Sequence, residues 1–257
     1  MPVKTIYITH QKGMERLAPY IIQAIQEVMA SFPKAKRYDE LFPIVNLGDW
    51  KSNNYLSVEN GQIIYEPYES IQWYIERAKL KAIKDRRWYE QGQISIDQLY
   101  QDLYDDPFAK KIPQFSLLIT SYDLYGVGPD GKLLNFCNGV TNEGHFAIIS
   151  TNRLMNNDGS LNIDRFQTIV MHEFGHLIGL TPEGRKNTYE QLGTHCSNGD
   201  IMAQDMSGTS IIMTQNRLCR KRMGLPPICS DCIEAGCRLL DNEIYKYITR
   251  HNNTHHR

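Results

Sequence analysis

The stretch Ile169-Val170-Met171-His172-Glu173-Phe174-Gly175-His176-Leu177-Ile178-Gly179-Leu180 decides how this sequence is read. Residues four apart project from one face of a helix, so the imidazoles of His172 and His176 can reach a single ion. Glu173, beside the first histidine, places a carboxylate where it can hold a metal-bound water and take its proton. Zinc lowers the pKa of such a water to about 7, which supplies hydroxide at neutral pH. Two histidines and a glutamate also coincide by chance on solvated helix faces. Here the apolar flanks make the helix a core element, and imidazoles inside it need partners, which a metal provides.

Downstream, Gly179 can take the left-handed conformation that ends a helix and turns the chain back toward the ion. A third ligand is then expected. His195 is the only histidine between His176 and the tail, and Glu183, Glu190 and Asp200 compete with it. Glu190 is the serious competitor, because a glutamate from a later segment completes many zinc peptidase sites. His195 is favoured, since imidazole is a good third ligand and Cys196 and Ile201-Met202-Ala203 follow it. A methionine in a tight turn under a histidine-ligated zinc packs a soft apolar side chain beneath the imidazoles. Met202 is the candidate, with Met206 and Met213 as alternatives.

Together these residues resemble the metzincin clan of zinc peptidases, and specifically the archaemetzincins. The elements that carry the resemblance are His172, Glu173, His176, Gly179, His195-Cys196, Met202 and Cys229-Ser230-Asp231-Cys232. Upstream, Asp123-Leu124-Tyr125, Asn135-Phe136 and Ala147-Ile148-Ile149-Ser150 with Arg153-Leu154 are similar to the family's strands before the helix. The likeness covers roughly residues 115 to 235. The sequence departs from the family in two places: Leu180 to Thr194 intervene where the family has two residues, and Asp200 stands about where the family usually has another cysteine.

The resemblance implies a second, structural zinc, which the family holds with four cysteines. Cys229-x-x-Cys232 has the chelate spacing of a zinc knuckle and Cys196 would be the third ligand. The fourth is Asp200, Cys219 or Cys237. Buried free thiols are the plain alternative, and a redox pair is a third, although no thioredoxin-like strand and helix surround the C-x-x-C. The resemblance also implies that the strand Leu133–Asn138, with Asn135, Phe136 and Cys137, forms a sheet edge that pairs with extended substrate.

Working outward, Thr5-Ile6-Tyr7-Ile8-Thr9-His10 reads as a strand, and the helical spacing of Leu17, Ile21, Ile25, Val28 and Met29 predicts a helix over Met14–Phe32. A short strand is expected at Phe42–Leu47. A helical face runs through Ile71, Tyr74, Ile75, Ala78 and Ala82, and Gly92 separates a second helix near Ile96–Tyr104. Phe115–Tyr122, Leu133–Cys137 and His145–Thr151 read as strands. Asp164 is the expected N-cap of the central helix, which runs to Leu180. Beyond it, helices are expected at Thr214–Met223 and Leu239–Thr249 in an otherwise irregular part, with a polar tail from His251.

The 257 residues carry 28 Lys+Arg against 29 Asp+Glu, a formal net charge of −1, which argues against a dedicated nucleic-acid binder. The six basic residues within Arg77–Arg87 read as a solvated helix face. No apolar run is long enough to span a bilayer, and the polar start is unlike a signal peptide, so a cytoplasmic protein without nucleic-acid or membrane partners is expected. Five of the six cysteines lie in the last quarter, and three of the eight histidines fall between positions 172 and 195. In a large chain without a signal, such clustering points to metal rather than to disulfides.

The expected architecture is α+β: a single metzincin-like catalytic domain with a small mixed sheet. An N-terminal subdomain, 1–180, ends in the active-site helix, and a loop-rich, Cys-rich subdomain, 181–257, follows. The expected activity is zinc-dependent hydrolysis of peptide bonds in a peptide or protein substrate, with Glu173 as general base. The alternative is a non-catalytic or auto-inhibited zinc-stabilised binding protein.

Overall fold

A computed structural model describes residues 2–49, 55–59, 62–66, 70–106, 112–128, 131, 133–190, 192–204 and 210–254. Met206 and the end of the tail lie outside them. In chain order the elements are β1 (Thr5–His10), α1 (Ala18–Met29), α2 (Ala35–Leu41), β2 (Ile44–Gly48), β3 (Tyr55–Glu59), β4 (Gln62–Glu66), α3 (Ile71–Lys84), α4 (Arg87–Gln91), β5 (Gln93–Ser95), α5 (Ile96–Tyr104), β6 (Gln114–Thr120), β7 (Asp123–Val127), β8 (Leu133–Cys137), β9 (Gly139–Asn142), β10 (Phe146–Ser150), α6 (Ile163–Leu177), β11 (Thr188–Glu190), β12 (Thr194–Cys196), α7 (Ile211–Arg222) and α8 (Ser230–Thr254).

The main sheet has the order β2-β1-β6-β10-β9, parallel except for β9, which runs antiparallel to β10 along one edge. Its two central strands are covered on both faces. Phe115, Leu117, Ile119, Ala147 and Ile149 join the core made with α1, α2, α6 and α8, while Leu118, Phe146 and Ile148 join the core under α3 and α5. A strand buried on both faces reads as an unbroken apolar run, which is why β6 and β10 stand out in the sequence. The mixed sheet and eight helices among the described residues make the α+β arrangement that the sequence predicts.

The central helix α6 starts at Asn162, whose Oδ1 accepts from the Arg165 amide at 3.0 Å. Asp164 is therefore not the cap. It lies in the first turn, where its charge complements the helix dipole. The helix buries nearly its whole inner length, from Phe166 to Leu177, against α1 and the sheet, and Gly179 follows in the left-handed region at φ 66°.

A further expectation is corrected. The C-terminal part is more helical than expected: α8 has 25 residues, begins at Ser230 and includes the stretch read as a tail up to Thr254. Asn135, Phe136 and Cys137 belong to β8, which pairs with β7 in a separate sheet of order β5-β7-β8. β8 is an edge of that small sheet; at Asn138 the chain passes to the main sheet, where β9 forms one of the two edges. None of the described helices is long and apolar enough to cross a membrane.

Candidate metal centres

The helical spacing expected of His172 and His176 brings their rings to a centroid distance of 4.7 Å. His195 joins them at 5.4 Å from His172 and 4.9 Å from His176. The segment after Gly179 achieves this by folding into the antiparallel hairpin β11-β12, in which His195 lies opposite Tyr189. One ring nitrogen of each histidine lies within 4.8 Å of the other two. Glu190 does not join the cluster. It is exposed, and its carboxylate accepts from Thr194 Oγ1 at 2.8 and 3.0 Å. Glu183 is exposed as well.

The hydrogen bonds behind the rings test whether a cation fits. His172 Nδ1 donates to the Ile201 carbonyl at 2.7 Å and His195 Nδ1 to the Gly193 carbonyl at 2.9 Å. A carbonyl only accepts, so each neutral ring carries its lone pair on Nε2. His176 Nδ1 lies 3.1 Å from the Thr181 hydroxyl, and its Nε2 lies 3.2 Å from Nε2 of His172. Backbone-anchored imidazoles with converging lone pairs form the outer-shell pattern of a histidine metal site. Burial and the neighbouring His195 push His172 down to about 4, and burial with the other two histidines holds His176 well below its usual value. The two helical rings therefore stay neutral, as ligands must.

Glu173 is buried beside this cluster. Its Oε2 accepts from Thr141 Oγ1 at 2.6 Å, and Gly139 passes so close that a Cβ there would lie 2.5 Å from Oε1. Both residues belong to β9, which therefore lies directly over the carboxylate. Burial raises Glu173 to about 7 and the Thr141 hydrogen bond partly opposes this. Met202 is fully buried with its Sδ against Gly175, between the two helical histidines. The Cys196 amide donates to the Met202 carbonyl at 2.9 Å. Met213 is buried on α7.

A second cluster lies next to the first, since Cys196 directly follows His195. Cys196, Asp200, Cys229 and Cys232 are all buried, with one ligand atom of each within 4.8 Å of the others. Cys196 and Cys229 sulfurs are 3.7 Å apart, and Cys232 Sγ lies 3.2 Å from Asp200 Oδ2. The Asp200 carboxylate accepts from the Met202 amide at 2.9 Å and from the Cys229 amide at 2.8 Å, and burial raises its pKa. Each sulfur receives a donor: Cys196 from the Asn198 amide at 3.4 Å, Cys229 from Asn198 Nδ2 at 3.5 Å, and Cys232 from Arg185 Nη1 at 3.4 Å. Donors aimed at every sulfur suit thiolates that bind a metal better than neutral thiols.

The other two candidates for a fourth ligand lie elsewhere. Cys219 is exposed on α7, with its sulfur 4.0 Å from Met223 Sδ, and Cys237 packs near Tyr38, whose pKa is raised by burial and then by Cys237 and Asp241. The Asn135 carbonyl accepts from Gln93 Nε2 at 2.5 Å and Arg87 Nη2 at 3.1 Å. Phe136 lies under the Arg153 guanidinium at 4.1 Å, and Arg153 in turn pairs with Asp123. Cys137 donates to the Gly139 carbonyl at 2.6 Å; burial, and next the charge of Glu173, push its thiol up to about 12. Thr141, Gly139, Asn198 and Arg185 were not singled out from the sequence, and none sits in a motif that could have marked it.

The crystal structure of archaemetzincin from Methanopyrus kandleri matches this chain with a TM-score of 0.52 and 19% sequence identity, over 93% of this chain and 96% of that one. The fold is thus archaemetzincin-like, as the resemblance implied. No protein-family model matches the sequence, and no curated protein does.

Proposed function

We propose that this chain is a zinc-dependent metallopeptidase in which His172, His176 and His195 hold the metal and Glu173 is the general base. The observation that carries this reading is the buried Glu173 carboxylate, fixed by Thr141 beside three converging imidazoles. Zinc bound there supplies a Lewis acid that acidifies water and polarises a carbonyl. Glu173 accepts the proton of the attacking water and returns it to the leaving amine. The attacking group in this scheme is water, so no covalent intermediate is expected. An extended peptide would add to β9, the main-sheet edge over Glu173, by backbone pairing.

Cys196, Asp200, Cys229 and Cys232 would hold a second, structural zinc. The deciding experiment is Glu173→Gln: zinc content by elemental analysis should stay at the parent's value while cleavage of a peptide library disappears. Full cleavage by that variant would sink the mechanism. A folded, zinc-loaded parent that cleaves nothing would favour a zinc-stabilised binding protein.

A further inference from the structure

We propose that Arg185 is the counter-ion of the Cys196–Asp200–Cys229–Cys232 centre, so that the segment between Gly179 and His195 serves both centres. The inference rests on reading that cluster as a metal site.

Three thiolates and a carboxylate around a divalent cation leave excess negative charge, and all four residues are buried. Uncompensated charge in such a place is costly. Of the three donors that reach the sulfurs, the two from Asn198 are neutral and Arg185 alone brings a positive charge. The remaining guanidinium nitrogens reinforce this. Arg185 Nε and Nη2 are buried with no hydrogen-bond partner among the described residues. Beside neutral thiols or a disulfide, that arrangement would bury a cation with little to offset the loss of water. Beside anionic sulfur, the field of the centre offsets it.

The local chain is built to hold the side chain there. The Arg185 amide donates to the Pro182 carbonyl at 3.2 Å, and the Arg185 carbonyl accepts from Thr188 Oγ1 at 2.6 Å, which fixes the backbone on both sides. Asn187 Nδ2 then reaches Asp231 Oδ2 at 2.8 Å, on the first turn of α8, between Cys229 and Cys232 in sequence. From there β11 and β12 lead directly to His195. One end of the segment is therefore fastened to the cysteine centre and the other supplies a ligand to the histidine centre.

Cobalt(II) titration of the full metal-stripped chain tests this, because only the cysteine centre can give sulfur-to-cobalt charge-transfer absorption. The parent should show the band. In competition with a chelator, Arg185→Met should bind cobalt at that centre about 10–100-fold more weakly, as for loss of other outer-shell partners. Arg185→Lys, which keeps the charge, should recover most of the loss. Arg185→Gln, which keeps a donor without charge, should behave like Arg185→Met and decides the matter if the Met variant does not fold. Parent-like affinity in Met or Gln, or a Lys variant no better than Gln, overturns the counter-ion role. A folded parent without the band overturns the metal centre itself, a failure visible before any variant is compared.

Discussion

Strand β12 carries His195 and Cys196 side by side, yet the two residues enter centres of opposite design. The histidine centre would take two of its three proposed ligands from a single buried helix, with a carboxylate, Glu173, close by outside the ligand set. The cysteine centre would gather four, from β12, from the turn at Asp200 and from the entry to α8. Three protein ligands leave a position for water and substrate, whereas four close the shell. The outer contacts follow the same division. Behind His172 and His195 lie carbonyls that fix ring orientation, and behind His176 the Thr181 hydroxyl, while around the sulfurs lie N–H donors that stabilise charge. Asp200 joins the two: its carboxylate faces the cysteines and caps the Met202 amide, and the carbonyl of intervening Ile201 orients His172.

Substituting these adjacent residues one at a time is the strongest way to break that comparison. His195→Ala should reduce peptide cleavage by about a thousandfold or more, since the Lewis acid contributes several kcal/mol of transition-state stabilisation. Its thermal transition should stay close to the parent's. Cys196→Ala should do the reverse in kind, lowering Tm by roughly 10 °C, because binding energy at a structural site is folding energy. Calorimetry and cleavage assays on the two variants check this. Equal loss of stability in both would mean that the division between an open and a closed centre is wrong.

Next in size is the hold of β9 on the base. A hydrogen bond to a charged group contributes about 1.5–3 kcal/mol, so Thr141→Val should lower kcat about 10–100-fold with KM little changed. Thr141→Ser should restore most of it. A Val variant with parental kcat would show that Glu173 needs no anchor from the edge strand. Gly139→Ala probes the same contact sterically, since its Cβ would displace the carboxylate.

These contacts also mark where sequence reasoning stopped. The histidine pair was legible because four-residue spacing and apolar flanks are properties of one helix. His195 was favoured over Glu190 only by imidazole chemistry and by its neighbours Cys196 and Met202, since its approach depends on a hairpin that closes in space. Thr141 and Gly139 sit in Gly-Val-Thr-Asn, a four-residue half-buried strand without the apolar alternation that reveals longer ones. Arg185 reaches a cysteine 47 residues away, a relation that no local pattern encodes. The early part of α8 was hidden for another reason. Gly236 weakens the helical reading by propensity, yet it lies where a Cβ would run into Leu180 and Phe32, so close packing on the core requires it.

The smallest effect separates the two roles of Glu173, as a base and as a buried charge. In the metal-stripped chain its pKa rises by burial from an ordinary 4.5 to about 7. Between those values the folded chain keeps a proton that the unfolded chain has released, so this group's contribution is full below 4.5 and is lost as pH rises through 7. His172, pushed down from 6.5 to about 4, acts with the opposite sign: stability falls as acid protonates the unfolded chain first. That second trend is common to the parent and Glu173→Gln and cancels to first order in their difference. Glu173→Gln should therefore match the parent at pH 4.5 and exceed it by roughly 1–3 kcal/mol at pH 8, as measured by urea unfolding in the presence of chelator. A gain of the same size at both pH values would mean that the variant acts through packing against Gly139 and Thr141. The carboxylate would then not be the buried, proton-holding group that the proposed mechanism requires.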